Sequence, residues 1–332
     1  LLKKNFNGFT SDDLFIMQFI KKGWGQDIAA LSNMAEALVN LAIKNPNDAQ
    51  YNNLIDEVVK RALHPKVSPY KKGIASVTSL GRYGYYLEHL NIILGCYQRI
   101  AGKQYLDLNE RISSHLLAKS MYYDNYHADL LPNVNMKWSA DQAGIIYSIW
   151  LFDMNNSTHL SHELSEKWLT YMNTNRRHKK TGLFKTEVMG TRKYSEQPRG
   201  CSAAYMIHYM ARFHPKEAQD QWELFKKHMM IQLMGNTGFR EYLKDYKGGW
   251  TPDSGPIVKG VGIAATGLAL NAASSVNDLE TYQKLDKGMS MVHRMIKKGS
   301  IIPGINMLTK IGTDLLSSAI WLNAETKKDY YS

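Results

Sequence analysis

Three carboxylates in this sequence stand where they could act together as an acid and a base: Asp141, Glu241 and Asp253. Asp141 begins the apolar stretch "DQAGIIYSIWLF", Glu241 lies in "GFREY", and Asp253 lies in "TPDSGP". Carboxyl groups that share a partly dry site differ in their pKa values, so one can donate a proton while another accepts it. We therefore expect cofactor-free acid/base chemistry in which Asp141 pairs with Asp253 or Glu241, with His89 as a further catalytic candidate.

Asp141 also has a purely structural explanation. Ser139 and Gln142 have the spacing of a capping box, in which two side chains close the first turn of a helix. A carboxylate in that first turn stabilises the helix dipole without taking part in any reaction. The two roles are compatible, since the N-terminus of a buried helix would also direct Asp141 into a cleft.

The other catalytic candidates have structural alternatives as well. Asp253 follows a proline in an ordinary turn sequence, and Glu241 could form a salt bridge with its neighbour Arg240. His89 lies among leucine and isoleucine residues, as a core histidine does. The sequence leaves these alternatives open.

Aromatic, amide and basic side chains near these carboxylates are expected to bind the substrate, because rings stack on a polar organic ligand and polar groups hydrogen-bond to it. The expected binding residues are Arg199, Arg240, Tyr83, Tyr85, Trp138, His127, Asn135, Tyr242 and Trp250. The expected partner is a small molecule or a glycan. Cys201 begins a predicted helix, where a thiol pKa falls, but the sequence places no base beside it, so we favour a non-catalytic role.

Helical periodicity and stop signals predict twelve helices and no strand. The predicted helices cover residues 10–22, 26–44, 47–63, 80–101, 105–122, 139–154, 160–176, 200–213, 215–231, 256–275, 278–296 and 306–325. Pro256 is expected to begin one of them, at the position that proline favours in a helix.

Two kinds of predicted helix alternate along the chain. Nearly apolar helices must be enclosed, whereas helices with one apolar stripe lie outside them. Short turns lead from each inner helix to the next outer one, and long loops of the kind that is usually functional lead back. This pattern predicts an all-α fold, an (α/α)6 toroid formed by one domain over 1–332, with the segment 1–24 closing the ring. A helical bundle or an α-solenoid is the structural alternative.

Composition and charge argue against several classes of protein. The net charge of +11 is scattered along the chain, so we expect no nucleic-acid partner. The two cysteines have no metal-binding spacing, and no apolar stretch of about 18 residues occurs, so we expect no structural metal and no membrane span. The chain begins at Leu1, from which we expect that an upstream segment was removed or left out, and an extracytoplasmic location stays open. Compartment and oligomeric state are not predicted.

The segment "YYLEHLNIILGCYQRIAGKQY", with its spacing to "SIWLFD", "HPKEAQDQWELFKKHM" and "GFREY", resembles the linalool dehydratase/isomerase family, whose domain is an (α/α)6 barrel. The resemblance runs over roughly residues 70–325 and is also consistent with the six-hairpin glycosidase architecture. It implies that His89 in "EHLN" matches a histidine that the family uses in "GHLN", and that Arg240 and Glu241 belong to the site. The family's two active-site cysteines have no counterpart in "LLPNVNMKWSAD", where Asp141 stands in place of the second. The resemblance therefore does not extend to the family's cysteine chemistry.

Two classes of function remain open. The leading hypothesis is an enzyme that acts in the barrel cleft, either by hydrolysis or elimination on a glycan, or by hydration, dehydration or isomerisation of a small alcohol. The alternative is a non-catalytic barrel protein that binds a ligand or another protein.

Overall fold

The computed structural model describes residues 26–132, 137–189, 196–233, 235–246, 248–249, 251, 253–297 and 315–327. Within these ranges the chain is mostly helical, with eleven α-helices, which agrees with the all-α prediction. They are α1 Gln26–Lys44, α2 Gln50–Leu63, α3 Gly84–Ala101, α4 Leu106–Met121, α5 Ser139–Asn156, α6 Leu160–Asn175, α7 Gly200–Phe213, α8 Pro215–Met229, α9 Ile263–Ser275, α10 Leu279–Lys297 and α11 Leu315–Thr326. The helix predicted over 10–22 lies outside the described residues. None of the helices in these ranges combines the length and the apolar character needed to cross a lipid bilayer.

The interior is formed by the apolar helices α1, α3, α5, α7, α9 and α11. In α1 every residue from Asp27 to Asn40 is buried, and in α5 every residue from Ser139 to Ile149. Burial all round a helix requires neighbours on every side. In order of contact, α1 packs on α3, α3 on α5, α5 on α7, α7 on α9 and α9 on α11, and α11 packs on α1.

Each amphipathic helix packs on the apolar helix that precedes it in the chain. α2 contacts α1 and α3, α4 contacts α3 and α5, α6 contacts α5, α8 contacts α7, and α10 contacts α9. Their buried side chains form one stripe, as in α8, where Ala218, Trp222, Phe225 and Met229 recur at intervals of three and four residues. Short turns join the two members of each pair, as the sequence predicts.

A buried polar network ties the last apolar helix to the first. Glu36 of α1 is 2% exposed, and its Oε2 accepts a hydrogen bond from Asn323 of α11 at 2.7 Å. Tyr147 of α5 donates to Glu36 Oε1 at 2.8 Å. Asn271 of α9 and Asn323 both donate to Asn33 Oδ1, at 2.9 and 3.1 Å. Buried polar groups that satisfy one another in this way specify one arrangement of the helices that carry them.

Three short antiparallel strand pairs lie in the long connections of the described chain, where the sequence predicts no strand. They are β1 Lys137–Trp138 with β2 Glu187–Met189, β3 Met230–Leu233 with β4 Asn236–Phe239, and β5 Ile257–Val258 with β6 Val261–Gly262. The helix predicted over 256–275 is therefore wrong in its first turns, since α9 begins at Ile263 and Pro256 precedes a hairpin. Lys259 and Gly260 have φ angles of 48° and 86°, the left-handed values that a two-residue hairpin turn requires.

The start of α5 is not capped in the way that the sequence predicts. Ser139 and Gln142 do not form a capping box, because Ser139 Oγ donates to Lys185 O at 3.1 Å and Gln142 Oε1 accepts from Ala128 N–H at 2.9 Å. Both side chains instead bind long connections at the N-terminus of α5. Ser139 binds the connection that follows α6, and Gln142 binds the connection that precedes α5. Asp141 does lie in the first turn of this helix, as predicted.

Candidate active site

Asp141 is a buried carboxyl group at the N-terminus of α5. It is 9% exposed, and no cation contributes to its pKa among the described residues, where Arg199 binds Glu241 and Asp253. Burial, and then the negative charge of Asp253, raise the pKa of Asp141 from 3.8 to about 7. Asp141 is thus a carboxyl group that gains and loses a proton near neutral pH.

Arg199, at the N-terminus of α7, holds the other two predicted carboxylates. Its Nε donates to Glu241 Oε1 at 2.9 Å, its Nη1 to Asp253 Oδ2 at 2.8 Å, and its Nη2 to Thr251 Oγ1 at 2.6 Å. The Glu241 side chain is 0% exposed, whereas that of Asp253 is 62% exposed. Arg199 therefore binds three residues of the connection between β4 and β5 and leaves Asp253 open to solvent. The salt bridge expected between Glu241 and the adjacent Arg240 is made by Arg199 instead.

Cys201 belongs to this site, although the sequence placed no base beside it. Its N–H donates to Glu241 Oε2 at 3.2 Å, and its thiol donates to Glu241 Oε1 at 3.1 Å. Burial, and then the charge of Glu241, raise the pKa of the thiol well above its ordinary value. A protonated thiol is a hydrogen-bond donor and a poor nucleophile, so Cys201 helps to fix the Glu241 carboxylate. The two residues are 40 positions apart, which is why inspection of the neighbouring sequence misses the contact.

Tyr85 of α3 connects the carboxyl groups into one cluster. Burial raises the pKa of its hydroxyl well above the ordinary value, and surrounding negative charges raise it further. The acidic groups that contribute when they are ionised are Asp141, Glu88, Asp27 and Asp253. These groups belong to the N-terminal parts of α1, α3 and α5 and to the segment after β4.

His89 is fully buried, and both of its ring nitrogens have partners. Ser32 Oγ lies 2.8 Å from Nδ1, and Tyr205 Oη lies 3.2 Å from Nε2. Burial lowers the pKa of His89 to about 3, so the ring is uncharged at neutral pH. Its edge packs on Tyr85 with 4.9 Å between the ring centroids. His89 thus supports Tyr85 and Tyr205 as a neutral ring.

Glu88 is a further carboxyl group of the cluster, and the sequence analysis missed it because it stands in an apolar helix with no signal besides its neighbour His89. It is 0% exposed, its Oε1 lies 3.0 Å from Tyr205 Oη, and its Oε2 has no hydrogen-bond partner in the described part of the molecule. Burial, and then the charge of Asp141, raise its pKa well above the ordinary value. Gly144 of α5 makes room for it, because a Cβ there would lie 2.9 Å from Glu88 Oε1.

The Tyr242 ring packs against Arg199, whereas the Arg240 side chain lies outside this cluster. Arg199 Cζ lies 5.7 Å from the centroid of the Tyr242 ring, whose hydroxyl donates to Gly249 O at 2.7 Å. Arg240 lies against the β5–β6 turn, where a Cβ at Gly260 would be 2.8 Å from Arg240 Nη1. Of these two predicted binding residues, the structure brings Tyr242 next to the cluster through its contact with Arg199.

An open depression of about 420 Å³ lies beside the cluster, and its volume is that of a small-molecule site. Its lining includes Asp27, Lys71, Tyr83, Tyr85, Tyr86 and Leu130. The predicted Tyr83 and Tyr85 therefore both line the depression, together with the carboxyl group of Asp27. Asp141, Glu241 and Asp253 are not among its lining residues, so the depression adjoins the predicted carboxylates without enclosing them.

The remaining predicted binding residues are not brought into this cluster. Trp138 pairs with Glu187 in the β1–β2 ladder and packs on the hydrophobic core. His127 is fully buried, and its Nε2 accepts a hydrogen bond from Trp168 Nε1 at 3.3 Å. Burial lowers the pKa of His127 to about 3, as in a core histidine. Asn135 and Trp250 lie outside the described residues.

Over the parts of the chain that the structure describes, no three His, Cys, Asp or Glu side chains are arranged to hold a metal ion. No protein-family model matches this chain, and no curated protein matches it. The function therefore has to be inferred from the carboxyl cluster and the depression beside it.

Proposed function

We propose that this chain is an enzyme that performs acid/base chemistry with its own side chains on a small polar molecule or a carbohydrate. The proposal depends on Asp141, a carboxyl group at a helix N-terminus that is 9% exposed. Its pKa is raised by the charge of Asp253, which is itself paired with Arg199. A carboxylate that only stabilised the helix dipole would serve as well in full contact with water. Asp141 is instead held where it titrates near neutral pH, which is where an acid catalyst works best.

The two aspartates have different roles in this proposal. Asp141 is the general acid, because it is buried and keeps its proton up to about pH 7. Asp253 is the general base, because its carboxylate is exposed and bound to Arg199. Environments that differ in this way give two carboxyl groups opposite roles. Glu241 has both oxygens bonded within the protein and holds Arg199, and His89 supports the tyrosines.

We also propose that the helices close into an (α/α)6 toroid formed by a single domain. The packing of α11 on α1, together with the successive contacts among the other apolar helices, supports closure. Inner helices of a toroid present their N-termini at one mouth, which accounts for the meeting of residues from α1, α3, α5 and α7. An open helical stack does not require contact between its first and last helices.

The favoured reaction is hydration, dehydration or isomerisation of a small alcohol. The depression beside Tyr85 is lined largely by tyrosine and aliphatic side chains, which suits a molecule with an apolar body. An acid such as Asp141 would protonate the leaving hydroxyl group, and a base such as Asp253 would take a proton from the neighbouring carbon. The resemblance of "EHLN" and "GFREY" to the linalool dehydratase/isomerase family favours the same class. Glycoside hydrolysis is the second candidate, favoured by the tyrosine rings, on which sugars stack.

The test is a thermal-shift screen of small alcohols and oligosaccharides, followed by product analysis for each compound that stabilises the protein. We expect the wild type to convert at least one compound, and Asp141→Asn to bind it without converting it. Asp107→Asn is the matched control, because Asp107 lies in the first turn of α4 and is exposed. It should bind and convert as the wild type does. A compound that stabilises the wild type and Asp141→Asn equally and is never converted would support the alternative, a non-catalytic binding barrel.

A further inference from the structure

Glu88 is a buried carboxyl group to which the proposed acid/base pair gives no role. It is 0% exposed, it packs against Gly144, and its Oε2 lacks a hydrogen-bond partner in the part of the chain that is described. A carboxylate is tolerated inside a protein when it is paired with a cation or saturated with hydrogen bonds. An ionised Glu88 would meet neither condition in this environment.

One arrangement of the hydrogen bonds around His89 places a proton on Glu88. In this arrangement Ser32 Oγ–H donates to Ala29 O at 3.0 Å, and Ser32 Oγ accepts from His89 Nδ1–H at 2.8 Å. The neutral His89 then accepts the Tyr205 hydroxyl proton at Nε2, at 3.2 Å. Tyr205 has no second proton to donate. In this arrangement Glu88 supplies the proton of the 3.0 Å hydrogen bond with Tyr205 Oη, whereas with the proton of His89 on Nε2 the Tyr205 hydroxyl donates to Glu88 Oε1 instead.

Of the groups that face this part of α3, Asp141 favours the neutral acid, whereas the hydrogen bond of Tyr205 lowers the pKa of Glu88. The groups are Asp141 from α5, Tyr205 and Tyr209 from α7, Asp27 and Glu36 from α1, and Tyr85 and His89 on α3 itself. The contacts of α2 and α4 with α3 use uncharged groups: Ala62 O of α2 accepts from Tyr86, and Ser113 of α4 accepts from Asn91. Negative neighbours disfavour a second negative charge.

We propose that Glu88 keeps its proton throughout the reaction and is a positioning residue, so that within the pair of Glu88 and Asp141 only Asp141 exchanges a proton. The O–H group of Glu88 donates to Tyr205 and turns the Tyr205 hydroxyl toward His89. Because Glu88 is uncharged, Asp141 can ionise without a second negative charge beside it. The catalytic part of this inference rests on the proposed function, whereas the protonation of Glu88 is measurable without a substrate.

Glu88→Gln tests the protonation, because the amide is uncharged and its N–H can still donate to Tyr205. The pKa of Glu88 is higher in the folded protein than in the unfolded chain. Its protonated form therefore stabilises the folded protein fully at pH values below the unfolded pKa, and this stabilisation is lost as the pH rises toward the folded pKa. Urea unfolding of the wild type and Glu88→Gln gives the ratio of folded to unfolded protein at each pH. Between about pH 5 and pH 8, we expect this ratio for the wild type to fall, relative to that for Glu88→Gln, by up to about tenfold per pH unit. The exposed Glu110→Gln is the control and should show no such trend.

A difference between wild type and Glu88→Gln that stays constant with pH would overturn the proposal, because it would mean that Glu88 ionises in the folded protein as it does in the unfolded chain. If Glu88→Gln does not fold, Glu88→Met gives the same comparison with another uncharged side chain. The outcome is independent of the proposed function. If no compound is ever converted, the proposed function fails and the stability trend remains.

With a substrate in hand, two variants separate positioning from proton transfer. Glu88→Ala should lower kcat/KM by up to about 100-fold, because Tyr205 loses its hydrogen-bond donor and moves. Glu88→Gln should recover most of that loss, since the amide restores the donor. A Glu88→Gln variant as inactive as Glu88→Ala would overturn the proposal, because it would mean that the Glu88 proton itself is transferred.

Discussion

Replacing Asp141 with asparagine should make the protein more stable relative to the wild type as the pH rises. The pKa of Asp141 is about 7 in the folded protein, against an ordinary value of 3.8. Because folding raises this pKa, the stability contributed by protonated Asp141 is complete below pH 3.8 and is lost as the pH rises from there to about 7. At about 1.36 kcal/mol per pKa unit, the loss amounts to about 4 kcal/mol.

Urea unfolding of the wild type and Asp141→Asn across a pH series measures this effect. About 2–3 kcal/mol of the total falls between about pH 5 and pH 8, where the difference in unfolding free energy should grow in favour of Asp141→Asn. Asp107→Asn, at the equivalent turn of α4 but exposed, should differ from the wild type by a constant amount. A constant difference for Asp141→Asn as well would show that Asp141 is ionised over the whole interval. The general-acid assignment would then be refuted.

Three further predictions concern the surroundings of this residue. Arg199→Ala leaves Glu241 buried without its cation and should lower the unfolding free energy by about 3–5 kcal/mol in urea, and adding Glu241→Gln should restore part of it. A loss below about 1 kcal/mol would contradict the buried ion pair. Gly144→Ala should cost about 1–3 kcal/mol, because its Cβ would lie 2.9 Å from a buried carboxyl oxygen, whereas Gly267→Ala, with nothing within 4 Å, should be neutral or stabilising. Cys201 should resist iodoacetamide in the folded protein and react after unfolding, as read by mass spectrometry, because burial raises its thiol pKa. Rapid labelling of the folded protein would contradict its role as a protonated donor.

Much of the helical structure could be predicted from local pattern. The bounds predicted for α1 and α7, 26–44 and 200–213, are those of the structure, because long apolar or amphipathic runs bounded by stop signals leave little choice of conformation. The failure at 256–275 has a local cause. Lys259 and Gly260 adopt left-handed φ angles and turn the chain into a hairpin, and the apolar residues around them match a buried helix and a short strand equally well.

The candidate site could be predicted in part. The sequence predicts Asp141, Glu241 and Asp253 from their positions in loops and helix starts, and the structure joins Glu241 and Asp253 through Arg199, while the charge of Asp253 raises the pKa of Asp141. Glu88 could not be found in this way, because its contact with Tyr205 joins residues 117 positions apart.

The sequence by itself determined which segments are helical, which helices must be enclosed, and which residue types are available at their ends. These properties depend on the order of neighbouring residues, which the one-dimensional pattern contains. Only the tertiary structure decided that Arg199 rather than Arg240 neutralises Glu241, and that Asp141 titrates near neutral pH. A pKa and an ion pair are set by burial and by charges nearby in space, and here the groups that set them come from segments distant in sequence.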